Sequence, residues 1–574
     1  QPTEETVTAG ENPLLSEFDT PYGAPPFDRI EDAHYLPAFD QGMEEHMAEV
    51  LAIAESTEPP TFENTIEALE YSGKTLSRTA GVFYNLNGST TNDEMQAIAK
   101  EVSPKLAKHR DDINLNEDLF ARVKAVYEQK DELDLTPEQA KLLDETYKGF
   151  VRGGANLEGE QKARFREINE ELSLLTTQFG ENILKEMNSI ALLIEDEADL
   201  AGLPQSAIDA AAATAAAQGE AGKWAFTLQR TSWTPFLESS ERRDLREKLY
   251  TAYMNLGNND NEYDNKANAA KIAALRAERA QILGYETHAA YVLEENMAET
   301  ADNVYGLLDR LWAPGLARAK AELADLQAMA DSEGGDFDIE SWDWWYYSEK
   351  VRAEKYAFDS EELKPYFVLD NVRQAAFDVA NKLFGVTFVP RDDVQVYHPD
   401  VQAYEVKDAD GTSLALYYVD YFARESKRGG AWMNTFRDQW KENGEDVRPI
   451  IVNVCNFSKP SEGQPALLSI DEAKTLFHEF GHAFHGIVAD GTYASLSGTS
   501  VPRDFVELGS QMMENWALAP EVLPTYAKHY ETGEPIPAEL IEKLQKANQF
   551  NQGFATTEYV SASLLDMDWH NLSE

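Results

Sequence analysis

Apolar residues recur every three to four positions through most of residues 39–305, with long amphipathic runs at 165–183 and 269–282, and this spacing predicts a helical first half. The Ala-rich run 207–222 (AIDAAAATAAAQGEAG) reads as a surface helix passing into a loop at its glycines. Between 394 and 457 the period shortens to two. VQVYHP, VQAYEVKD and TSLALYYVDYF predict strands, the last two joined by a turn at Asp410-Gly411, and PIIVNVCNF and residues 465–470 predict two more. Gly429 and Gly430, ahead of Ala431 and Trp432, either let another backbone approach or form a flexible turn. The pattern is that of a mainly α protein with a small inserted β-sheet.

Composition narrows this picture. At 574 residues the chain exceeds the ~250–300 that one core supports, so two or more lobes are expected. Hydrophobic residues make up 43%, which excludes a wholly disordered chain. The 102 acidic against 50 basic residues leave a net charge of −52, which repels nucleic acid and anionic membrane and suits a solvated acidic coat. The single cysteine, Cys455, excludes an internal disulfide and a cysteine-based zinc knuckle, and its apolar setting reads as a buried, inert thiol. No stretch approaches the ~18–20 apolar residues of a membrane span, so a soluble protein is expected. The sequence opens at Gln1 without a secretory leader pattern, an expectation of a processed N-terminus that leaves cytoplasm and periplasm or cell envelope both open.

Chemistry concentrates after residue 469. Ser469-Ile470-Asp471-Glu472 has the form of a capping box and starts a helix at Ile470, with Ala473, Phe477, Phe480, Phe484 and Ile487 as its buried stripe. Within it, His478 and His482 stand four apart, on one face, so both imidazoles can reach one ion. Glu479 lies beside that face, placed to act as general base on a water without ligating the metal. With 10 His and 102 acids in 574 residues, chance supplies about 0.03 such motifs. His485 shares the face but lies ~10 Å along the axis from His478, too far to join one tetrahedral site, and reads as a second-layer or substrate-facing residue. A zinc site of the His₂Glu type needs a carboxylate from elsewhere. Pro502 and Pro520 bound a predicted helix on which Asp504, Glu507, Gln511 and Glu514 share a face; Glu507 is the central candidate ligand, with Asp504 and Glu514 orienting the imidazoles. Gly509 in that helix suggests close packing or a bend.

These motifs together resemble one family. TLFHEFGHAFHG, LSGTSVPRDFVEL and QMMENW are similar to the M3 family of zinc metallopeptidases, the thimet oligopeptidase group, and YHPDV, GGAWM, NFSKPSEGQPALL and LLDMDWH resemble its bacterial peptidyl-dipeptidase branch. The resemblance implies one zinc ion per chain held by His478, His482 and Glu507, with Glu479 as catalytic base. It implies a two-lobed helical clamshell with a deep channel admitting short unstructured peptides, an N-terminal helical lobe over 1–300 and a catalytic lobe over 301–574, and a monomer. By the same analogy the Gly429–Trp432 segment, with Gly429, Gly430 and Ala431 as substrate-binding residues, pairs with the peptide backbone as an edge strand. Gly509 stands where the family has Pro, and none of the 25 tyrosines sits in the Gly- and Tyr-rich oxyanion motif of the family, which implies metal binding with slow turnover for the sequence as it stands. The expected activity is release of dipeptides from peptide carboxyl ends. The alternatives are an endo-acting oligopeptidase of the same family and a catalytically silent peptide- or metal-binding scaffold.

Overall fold

The structure, a computed structural model, describes residues 12–356, 362–460, 463–547 and 549–573. Three helices open the core: α1 (Tyr35–Ala54), α2 (Lys74–Ser89) and α3 (Asp93–Asn114), the last capped by the Asn92 side chain, which accepts from Met95 N. The predicted amphipathic runs fall in α4 (Gly159–Ser189) and α5 (Lys266–Ile282). Between them lies an unforeseen hairpin, β1 (Ala191–Ile194) with β2 (Trp224–Thr227), each too short to register as a periodic signal. The Ala-rich helix between these strands is not wholly superficial. Its Ala211 and Ala215 are buried, because small side chains let it lie close to the hairpin.

Helices α6 (Ala301–Ser332) and α7 (Leu369–Phe384) lead to strands β3 (Thr387–Pro390), β4 (Gln402–Lys407), β5 (Ser413–Phe422) and β6 (Trp432–Arg437). A short separate hairpin, β7 (Trp440–Glu442) and β8 (Glu445–Val447), precedes β9 (Ile450–Phe457). The five-stranded sheet has the order β3-β4-β5-β9-β6; β5 and β9 are parallel, the other pairs are antiparallel, and β6 is an edge. Two expectations fail here. Residues 394–399 are looped, their apolar positions anchoring rather than pairing: Val394 is buried and the Tyr397 hydroxyl donates to Asp420 Oδ2 at 2.9 Å. Residues 465–470 contribute only a bridge between Leu467 and Val368, because the chain turns at once into a helix.

Side-chain alternation makes the sheet a layer shared by two cores. Ala415, Tyr417, Val419 and Tyr421 of β5 join Ile451 and Cys455 of β9 against α7 and the helix that begins at Ile470. Leu416 and Tyr418 join Ile450, Val452 and Val454 against Tyr35, Phe39 and Phe83 of α1 and α2. The parallel register sets Leu416 beside Ile450 and Tyr417 beside Ile451, so both strands present the same parity to each core. Helix α8 (Ile470–Ile487) packs on this sheet, α9 (Glu507–Ala517) packs on α8, and α10 (Gln552–His570) lies against α6. Among the described residues no helix is long and apolar enough to cross a membrane.

One buried ionic knot fixes the loop ahead of β6. Lys427, fully buried, donates to Asp420 Oδ1 at 2.8 Å, to the Phe422 carbonyl at 2.6 Å and to the Cys455 carbonyl at 2.8 Å, and Arg424 donates to the same Asp420 oxygen at 2.8 Å. Removing one member of such a knot strands the others in low dielectric. We expect Asp420→Ala to lower unfolding free energy by about 3–5 kcal/mol in urea titration; an unchanged midpoint would contradict this account of the loop.

Candidate metal centre

The helix that carries the His-Glu motif is fixed at both ends of its logic. The Ser469 hydroxyl accepts from Glu472 N at 3.1 Å while Glu472 accepts from Ser469 N at 2.8 Å, closing the expected capping box. Ala473, Phe477, Phe480, Phe484 and Ile487 are all buried, and Phe480 packs its ring against Phe377, Phe388 and Tyr417. With that stripe committed to the sheet, His478 and His482 are left to face α9.

The two helices approach closely at Gly481. A Cβ built there would lie 2.6 Å from Ser510 Cα and 3.0 Å from the Gly509 carbonyl. Gly481, rather than Gly509, is therefore the glycine that close packing demands; a Cβ on Gly509 would meet open space. The second helix also starts later than expected. Residues 503–506 are turns, and α9 begins at Glu507, whose carboxylate thus stands at a helix N-terminus, the end that favours negative charge.

Three donor atoms converge across this contact. Glu507 Oε2 lies 3.1 Å from His478 Nε2 and 3.0 Å from His482 Nε2, and all three atoms fall within 4.8 Å of one another. His478 Nδ1 lies 2.6 Å from Glu514 Oε1, so the Nδ1 proton is donated to Glu514 and the Nε2 lone pair points at Glu507. An imidazole lone pair and a carboxylate oxygen at hydrogen-bond distance repel unless a proton or a metal cation stands between them. Bonds of ~2.0–2.1 Å in a tetrahedron separate ligand atoms by about 3.3 Å, close to the observed spacing, and two imidazoles with one carboxylate are a donor set that suits zinc. The residues present therefore fit a divalent ion.

Local electrostatics agree with this arrangement. Burial pushes the Glu507 carboxyl up, but the Ser510 hydroxyl and the His482 and His478 rings outweigh it, so Glu507 titrates below its usual range. Burial holds His482 below the ordinary imidazole value despite Glu507. Glu479 is 5% exposed, with Oε2 buried and unpartnered, and burial with the Glu507 charge pushes it up to about 7 against the opposing pull of His478.

The other residues singled out in the sequence distribute differently. Glu514 touches His478 as described. Asp504 does not approach the imidazoles: its two oxygens accept from Met297 N and Ala298 N, both at 2.9 Å, because it lies in the turn before α9 and not on that helix's face. His485 lies outside the three-atom cluster, partly buried, and burial lowers its pKa. Gly429, Gly430 and Ala431 lead into edge strand β6, which runs beside α8; Gly430 has φ +92° and its carbonyl accepts from Asn456 Nδ2 at 2.6 Å. Gly481 and Ser510 escaped the sequence reading. Ser510 was open to discovery by its spacing of three from Glu507, whereas Gly481 needed knowledge of what α8 packs against.

Comparison with known proteins adds to the geometry. Residues 236–574 match peptidase family M3. The dipeptidyl carboxypeptidase of Salmonella typhimurium is 43% identical over 564 residues, covering 98% of this chain and 83% of that protein. Its namesake in Escherichia coli (strain K12) is 43% identical with 98% and 82% covered, and oligopeptidase A of the same strain is 35% identical over 565 residues with 97% and 82% covered.

If the Gly481 contact sets the convergence, Gly481→Ala forces α8 and α9 apart. The expected outcome is a loss of about 1–3 kcal/mol in stability and a zinc dissociation constant raised by about tenfold or more in chelator competition; wild-type affinity in that variant would contradict the assignment.

Proposed function

We propose that this chain, which belongs to peptidase family M3, releases dipeptides from the carboxyl ends of short unstructured peptides by zinc-assisted hydrolysis. The observation that carries the reading is the convergence of His478 Nε2, His482 Nε2 and Glu507 Oε2 beside a buried carboxylate, Glu479. A single zinc ion held by those three atoms supplies Lewis-acid chemistry, acidifying water and polarising a carbonyl.

The chain's own groups do the rest. Glu479 accepts a proton from the water that attacks the scissile carbonyl and passes it to the departing amine nitrogen, a role suited to a carboxyl whose pKa lies near neutrality. Glu514 holds the His478 ring in one tautomer and orientation. The peptide backbone adds to the outer edge of β6 at its N-terminal end, which Gly429, Gly430 and Ala431 lead into and where the two glycines have no Cβ to obstruct it, with His485 of α8 as a further substrate contact. Similarity to two dipeptidyl carboxypeptidases at 43% identity, against 35% for oligopeptidase A, favours release of carboxyl-terminal dipeptides over the endo-acting alternative.

Two measurements test this. Glu479→Gln is expected to keep about one zinc per chain while hydrolysis falls by roughly 10²–10⁴-fold; full turnover would refute the role of Glu479. Mass spectrometry of a nonapeptide digest is expected to show successive loss of carboxyl-terminal dipeptides, and internal cuts alone would transfer the assignment to the endo-acting class.

A further inference from the structure

Glu507 presents a problem that the ligand geometry does not solve. Its side chain is 50% exposed, so packing does not hold it, and a glutamate has three rotatable bonds and two equivalent oxygens to offer. Yet one oxygen, Oε2, meets both imidazoles. Ser510, one turn further along α9, is fully buried, and its hydroxyl stands 2.8 Å from that same Oε2. The hydroxyl also lies 2.9 Å from the Glu507 carbonyl, the ordinary back-bond of a helical serine. The hydroxyl has one proton, which the carbonyl and Oε2 compete for, and the shorter contact is to Oε2.

The Ser510 backbone packs closely against α8. Its Cα is the atom that a Cβ on Gly481 would strike at 2.6 Å, so the helix contact that brings α9 to the histidines also pins the serine. A carboxylate oxygen carries two lone pairs, and a hydroxyl on one leaves the other for a cation. We propose that Ser510 is a positioning residue: its hydroxyl selects Oε2 as the ligating oxygen of Glu507 and holds that carboxylate in place before zinc arrives. The inference rests on the reading of His478, His482 and Glu507 as the zinc ligands.

The experiment measures zinc affinity of the whole chain by chelator competition, with metal-free melting and the visible spectrum of the cobalt-substituted protein as second readouts. Ser510→Ala is expected to raise the zinc dissociation constant by about 10–100-fold, to shift the cobalt bands and to leave metal-free melting nearly unchanged. Ser510→Cys, close in volume and a weaker donor, is expected to fall between, and it decides the question should the alanine variant fail to fold. Wild-type affinity and spectrum in the folded variants would overturn the role of Ser510 while leaving the zinc site standing. Loss of affinity only in proportion to a lowered metal-free melting temperature would assign Ser510 a structural role and likewise overturn it. A wild-type chain that binds no zinc, or binds it equally after His478→Ala, would remove the site and this inference together.

Discussion

The separation of α8 and α9 at Gly481 is the constraint on which the rest of the centre depends. Imidazoles on one helix and a carboxylate on another can share an ion only if the backbones come closer than ordinary side chains permit. Here the missing Cβ of Gly481 admits Ser510 Cα. Every distance that follows, from Glu507 Oε2 to the two imidazole nitrogens and from Glu514 to His478, is set by that approach. The contact also explains why the His-Glu motif gains meaning only in three dimensions, since the sequence shows the two histidines four apart but not what stands opposite them.

Behind the motif, the sheet gives α8 a rigid seat. Phe480 is held among Phe377, Phe388 and Tyr417, and the stripe from Ala473 to Ile487 is buried, so the helix has no freedom to roll its histidines away from α9. The same strands turn their alternate side chains to α1 and α2, which ties residues more than three hundred positions upstream to the centre. The ionic knot of Asp420, Arg424 and Lys427 then fixes the loop from which edge strand β6 emerges. Helices, sheet and edge strand form one mechanical unit: in the proposed function α8 and α9 carry the base and the ligands, the sheet seats α8, and the edge strand takes the peptide.

What was legible in the sequence was local. The capping box at Ser469 and Glu472, the apolar stripe of α8, the β4–β5 hairpin at Asp410-Gly411 and the run of β9 are each written within a few residues, where period and turn chemistry are sufficient. Glu507 and Glu514 could be proposed because a helical spacing placed them on one face. The rest depended on contacts between distant segments. Asp504 shared that spacing but lies before the helix begins and binds the backbone at Met297 and Ala298. The strands β1 and β2 are too short for periodicity to show, and the alternation at 394–399 anchors a loop instead of pairing. Gly481 carries no local signal at all; its necessity comes entirely from Ser510, twenty-nine positions later.

The central claim is that one divalent cation sits where these three side chains meet. Diffraction from crystals of the chain grown with zinc, collected on both sides of the zinc absorption edge, tests it directly. The account predicts a single anomalous peak about 2.0–2.2 Å from His478 Nε2, His482 Nε2 and a Glu507 oxygen. A peak located elsewhere, or zinc on the histidines with Glu507 turned away, would contradict it.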